Sequence, residues 1–288
     1  MKHLISFVLA FLLAGVVPSY AEKIKVIASI APLADFARQV GGEKVDVRLL
    51  LPPGASPHTY EPTPRAIQDI SDARAFIKIG AGLEFWSEKI IKAAANRTLI
   101  IVDSSEGVSL LRDPHSHGHR SADPHIWLDP VIAGDIIIKI ENAFIRADPR
   151  NAEHYRLNAL QYREKLSELD ADISRRVKKL KTKEYVTFHP AWNYFSKRYG
   201  LRVAAVIEES PGKEPSAKHM QKIINKINAI GKKVVFVEPQ FNPKIAEVIA
   251  KESGAKVVYL DPIGGQKGRE TYLDMMKYNI AAIAKAME

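Results

Sequence analysis

Short apolar runs alternate with amphipathic stretches along this chain. Ile24 to Ile30 (IKVIASI) has the length and continuity of a buried strand. Pro32 to Val40 follows with helical spacing and is stopped by Gly41-Gly42. Val45 to Leu51 reads as the next strand, ended by Pro52-Pro53-Gly54. Thr63 to Ala73 reads as helix, Ala75 to Ile79 as strand, Glu84 to Ala95 as helix and Thr98 to Val102 as strand. The second half repeats the alternation. Strands are predicted at Glu184 to Phe188, Arg202 to Ile207, Lys233 to Val237 and Ala255 to Leu260. Helices are predicted at Ala191 to Tyr199, Ser216 to Ile230, Pro243 to Ser253 and Glu270 to Met287. Alternation of this kind argues for parallel sheets flanked by helices. The architecture repeats, but no residue-by-residue repeat accompanies it.

A different pattern separates the halves. Asp148-Pro149 reads as an N-cap with proline at the first helical position. From Arg150 to Lys181 there is no glycine or proline. Apolar or aromatic residues fall at 155, 159, 162, 166, 169, 173, 177 and 180, in steps of three and four. That is one stripe on one helix, and about 30 residues at 1.5 Å each span roughly 45 Å. Such a rod can cross a molecule and pack on both halves; a coiled-coil dimer seam is the alternative use of the stripe. The expected fold is therefore α/β, with two lobes, each a mainly parallel sheet flanked by helices, joined by one long backbone helix. The corresponding segments are 22–148 for the first lobe, 149–181 for the linking helix and 182–288 for the second lobe.

The first 21 residues stand apart. Leu4 to Val17 is almost wholly apolar, and Ser19 and Ala21 put small residues at −3 and −1 of a cleavage site before Glu22. The run is about 14 residues, short of the ~20 a spanning helix needs. A secretory signal is expected, with a periplasmic destination. No cysteine follows the run for lipid attachment, and the chain has 0 cysteines. Disulfides and thiolate metal ligands are thereby excluded. The formal charge of +9 comes from lysines and arginines interleaved with acids, which reads as a solvated surface. Nucleic acid is not an expected partner, and a monomer is expected.

Four side chains stand just past the ends of predicted strands, near prolines. They are His58 in SPHTYEP, His125 in DPHIWLDP, His189 in FHPAW and Asp261 in YLDP. Ligands of open α/β sheets gather outside the carboxyl ends of strands. Three imidazoles and a carboxylate suit zinc, and the prolines limit the entropy lost on ordering them. Glu61, Glu208 and Glu209 are spare acids that would orient a ligand histidine or simply face solvent. His115, His117 and His119 (DPHSHGH, within about 113–121) form a histidine-rich loop suited to collecting metal loosely.

At these residues the chain resembles the periplasmic zinc- and manganese-binding proteins of ABC importers, the cluster A-I or ZnuA/TroA-like family. PHTYEPTPRAIQDISDA and DPHIWLDP are similar to its first two metal motifs. FHPAWNYFSKRYGL, GKEPSAKHM and VVFVEPQFNPKIAEVIAKESGAKVVYLDPIG resemble its later segments. The resemblance covers essentially the whole mature chain. It implies two α/β lobes on one long helix, metal ligands at His58, His125, His189 and Asp261, and a membrane permease as partner. Manganese-selective members tend to carry glutamate at the third position, so His189 resembles the zinc branch, and nitrogen donors favour zinc. Zn²⁺ is then the expected cargo, with Mn²⁺ or iron as the alternative. No catalytic residue is implied. A zinc hydrolase is the rival, requiring an open coordination position and a base such as Glu208 or Glu209.

Overall fold

A computed structural model describes residues 23–112, 122–209 and 212–288. The first sheet contains β1 (Ile24–Ala28), β2 (Val45–Leu49), β3 (Ala75–Lys78) and β4 (Ile100–Asp103), in the order β2-β1-β3-β4. The second contains β5 (Glu184–Thr187), β6 (Arg202–Val206), β7 (Val234–Val237) and β8 (Lys256–Tyr259), in the order β6-β5-β7-β8. Every pairing in both sheets is parallel. The two orders are equivalent, so each sheet reverses direction of winding between its two central strands.

Helices fill the crossovers. In chain order they are α1 (Ala31–Gly41), α2 (Pro64–Ser71), α3 (Ser87–Ala94), α4 (Pro130–Ala147), α5 (Ala152–Lys178), α6 (Asn193–Tyr199), α7 (Ala217–Ala229), α8 (Lys244–Ser253) and α9 (Tyr272–Met287). The sequence pattern anticipates all of them except α4. Its start is marked by Asp129, whose carboxylate accepts a hydrogen bond from the Val131 amide at 2.9 Å, with Pro130 in the first turn. That Asp-Pro pair closes DPHIWLDP, and read only as part of a metal motif it hides its role as a cap.

The expected rod is α5, with 27 residues, or about 40 Å. It starts later than expected, because Pro149–Asn151 forms a 3-10 turn first. Its stripe of Tyr155, Ala159, Tyr162, Leu166, Leu169, Ile173 and Val177 is buried. The helix packs on α1 and α4 of the first half and on α6 and α9 of the second. The stripe is thus consumed inside the chain, and the coiled-coil alternative falls.

One continuous core runs from β1 and β3 through α1, α4 and α5 to α9, Tyr185 and Phe236. Buried hydrogen bonds fasten the halves. Asp35 of α1 accepts from the Tyr272 amide at 2.8 Å and the Tyr162 hydroxyl at 3.0 Å. The Trp127 indole donates to the Pro262 carbonyl at 2.7 Å, and the Tyr272 hydroxyl donates to the Trp127 carbonyl at 2.8 Å. No helix among the described residues is long and apolar enough to cross a membrane.

Candidate metal centre

The carboxyl ends of both sheets face one seam, and three of the four anticipated side chains meet there. His189 stands two residues past β5, at the point where the second sheet reverses its winding. His58 lies on the loop between β2 and α2, behind the buried Pro57. His125 opens the 3-10 turn Ile126–Leu128 that leads into α4. Their Nε2 atoms converge: His58 to His125 is 3.1 Å and His189 to His125 is 3.3 Å. Four donors around zinc at ~2.05 Å in a tetrahedron stand about 3.3 Å apart. The cluster already has the spacing a cation needs.

The outer nitrogens explain why the inner ones point inward. Asp123 Oδ1 lies 2.7 Å from His125 Nδ1, and its Oδ2 accepts from Asn193 at 2.9 Å. Glu238, just past β7, places Oε2 2.5 Å from His189 Nδ1, off the line of an aligned hydrogen bond. Its Oε1 accepts from the Trp192 indole at 3.2 Å. A carboxylate on Nδ1 fixes the ring and leaves Nε2 as the donor to metal. Asp123, His125, His189 and Glu238 are each at most 3% exposed. Burial, and then the two neighbouring imidazoles, hold the His58 pKa well below the usual histidine value. A neutral imidazole is the form that binds metal.

Asp261 is not brought into this group. The metal-compatible set among the described residues is His58, His125 and His189. Asp261 is fully buried behind Pro262 and Ile263, which do line the cavity. Its Oδ1 accepts from Gln240 at 3.0 Å and from the Ile263 and Gly264 amides at 3.1 and 3.0 Å. Its Oδ2 faces Arg269 Nε at 3.3 Å. The carboxylate is engaged as the anchor of its own turn.

Sequence reasoning missed Asp123 and Glu238. Both had a signal: Asp123 sits two residues before a ligand candidate, and Glu238 follows a buried strand. The carboxylates on His125 Nδ1 and His189 Nδ1 are Asp123 and Glu238, and none of the spare acids Glu61, Glu208 and Glu209 holds either position. Glu61 is exposed, and buried Glu208 accepts from the Gly212 amide. Glu209 lies at the mouth of the site, with Oε1 3.9 Å from His219 Nε2. His115, His117 and His119 fall outside the described residues.

The first sheet carries no ligand at its own reversal point. Glu84 fills it, accepting from Ser29 at 2.6 Å and from the Ile79 and Gly80 amides at 2.8 and 3.0 Å. Burial raises its pKa. Gly80, at φ 80°, has Asp103 Oδ1 within 2.0 Å of where a Cβ would stand, so this wall tolerates no side chain.

Two parallel-sheet lobes on a common rod, with three inward imidazole nitrogens at the seam, define a metal-binding protein of the solute-binding class. A family profile described as "Zinc-uptake complex component A periplasmic" (ZnuA) matches residues 26–286, and the chain belongs to that family. It is 32% identical to the high-affinity zinc uptake system protein ZnuA of Bacillus subtilis, over 95% of this chain and 90% of that protein. It is 30% identical to the zinc-binding protein AdcA of Streptococcus pyogenes, covering 98% of this chain and spanning only 60% of that longer relative. A crystal structure of ZnuA superposes with a TM-score of 0.84 at 32% identity, covering 92% of this chain and 99% of that one. Zn(II)-bound AdcA from Streptococcus pneumoniae gives 0.78 at 29% identity, over 92% of this chain and 58% of that one.

Proposed function

We propose that this protein is the periplasmic zinc-binding component of an ABC importer, with His58, His125 and His189 as ligands of the cargo ion. The observation that carries the reading is the trio of Nε2 atoms 3.1 and 3.3 Å apart, two of them on rings backed by buried carboxylates. Three nitrogen donors suit Zn²⁺ better than Mn²⁺. The seam puts the ion where a membrane permease can receive it from the open side of the molecule. Asp261 fixes the turn that forms the floor in this arrangement. The export signal ending near Ala21 and the permease partner belong to the same reading.

Replacing His189 with alanine removes one of three ligands and leaves Glu238 buried beside an empty space. Zinc affinity is expected to fall by orders of magnitude, measured by chelator competition on the full mature chain. Wild-type affinity in His58→Ala, His125→Ala or His189→Ala removes that residue from the set. Competition between Zn²⁺ and Mn²⁺ on the wild type decides the cargo.

A further inference from the structure

The second sheet ends in an open edge at β8. The Lys256 and Leu260 amides donate to the Lys233 and Val237 carbonyls beside them at 3.0 and 2.8 Å. Backbone groups of a strand alternate in direction, so the amides and carbonyls of Val257 and Tyr259 point away from β7. No hydrogen bond reaches them among the described residues. Two other edges are blunted. At β2 the Arg38 guanidinium donates to the Val47 carbonyl at 3.3 Å, and the β5–β6 pairing carries a register shift at Tyr185 and Val186. Among the described residues β8 has neither device.

A groove of about 740 Å³ runs beside this edge, with α9 as its far wall. Ligand clefts span ~300–1,000 Å³. Ala281, Ala282 and Ala286 keep the α9 wall low. The two ends of the groove differ. Lys232, Lys233 and Lys256 stand at the amino ends of β7 and β8, with Lys285 in the last turn of α9. Tyr259 closes β8 at the other end, and Tyr278 lies about two helical turns before Lys285. These tyrosines are 42% and 37% exposed. The Arg269 guanidinium sits 4.7 Å over the Tyr278 ring and holds it in place. No carboxylate lines the groove among the described residues. Lys233 places its ammonium on Asn228 and the Ser253 carbonyl, at 2.7 and 3.0 Å. Lys232, Lys256 and Lys285 form no ion pair among the described residues.

We propose that this groove takes an extended acidic segment of a partner protein, added to the second sheet as a strand beside β8. Its carboxylates meet the lysine end, and its apolar side chains lie against the alanines and tyrosines. The open N–H and C=O groups supply affinity, while the lysines set direction and register. A phospholipid headgroup brings charge but no row of N–H and C=O groups. A second copy of this chain brings the same lysines to a place that lacks acid. No residue of the groove borders the histidine cavity, so the segment docks on the flank of the second lobe and leaves the seam open.

The test uses the full mature chain, zinc-loaded, with two short synthetic peptides. One carries aspartates at one end and alternating valine and threonine at the other; its control has asparagine in place of aspartate. The aspartate peptide is expected to slow hydrogen exchange at the Val257 and Tyr259 amides and to bind about tenfold or more tightly than its control. Lys256→Glu with Lys285→Glu is expected to weaken binding by about tenfold or more. Lys89→Glu with Lys92→Glu, exposed on α3 of the first lobe, is expected to leave it within about twofold. Val257→Pro removes an amide outside the β7 ladder, so it blocks the added strand while folding and zinc affinity are retained. The proposal is overturned if the aspartate peptide does not bind, binds without slowing those amides, or is lost alike from both charge-reversed pairs. It is also overturned if phosphatidylglycerol vesicles or self-association slow the two amides and the peptide does not. Should Val257→Pro fail to fold, wild-type amide exchange and the two charge-reversed pairs decide alone.

Discussion

The imidazoles at the seam depend on the acids behind them. Asp123 and Glu238 touch no cargo, yet each stands against a ring nitrogen from a buried position. Asp123→Asn and Glu238→Gln should each cost about 10- to 100-fold in zinc affinity while the fold persists. Chelator competition alongside a far-ultraviolet spectrum checks both halves of that statement. Proton linkage at His58 has a definite sign. Its pKa in the folded protein is held below the ordinary ~6.5, so between the two values the unfolded chain binds a proton that the folded one refuses. Apo stability therefore falls as pH drops below about 6.5, and His58→Asn should flatten that slope in thermal melts from pH 7 to 5. The same lowering delays proton competition at His58, so its share in zinc binding persists to lower pH than an ordinary histidine would allow.

At the level of elements, α5 carries the frame. Leu169 is 3% exposed in the middle of its stripe, within the continuous core. Leu169→Ala should cost about 2–5 kcal/mol, read as a shift in denaturant midpoint with little change in zinc affinity. This stripe was the most legible feature of the chain, because every step of three or four lands on one face and the whole face is buried. The strands were legible for the same reason, with ends displaced by at most two residues. α4 was not, because its cap is embedded in DPHIWLDP, where the histidine draws attention from the Asp-Pro signal. The convergence of the three histidines could be anticipated from strand ends and neighbouring prolines. Asp261 satisfied the same rule, but a strand end fixes only where a side chain begins. Which atoms it then meets depends on Gln240, Arg269 and two amides of its own turn, contacts that no spacing encodes.

On the scale of the molecule, the halves share one core and a set of buried bonds. Asp35, Tyr162, Tyr272, Trp127 and Pro262 tie α1, α5 and α9 to the loops that carry the site. Wide hinge closure would break all of them together. Zinc loading is therefore expected to change the radius of gyration very little, with adjustment confined to loops and a few degrees of tilt. Small-angle scattering of apo and zinc-loaded protein measures this, and a large contraction would contradict it.

The bond from Asp35 to Tyr272 joins positions 237 residues apart. A polypeptide that emerges amino end first therefore holds a buried acid without its final partner until the last helix has appeared. The early half cannot reach its finished state alone. An isolated early half is therefore expected to be looser than the finished lobe, because Asp35 then lacks the Tyr272 amide.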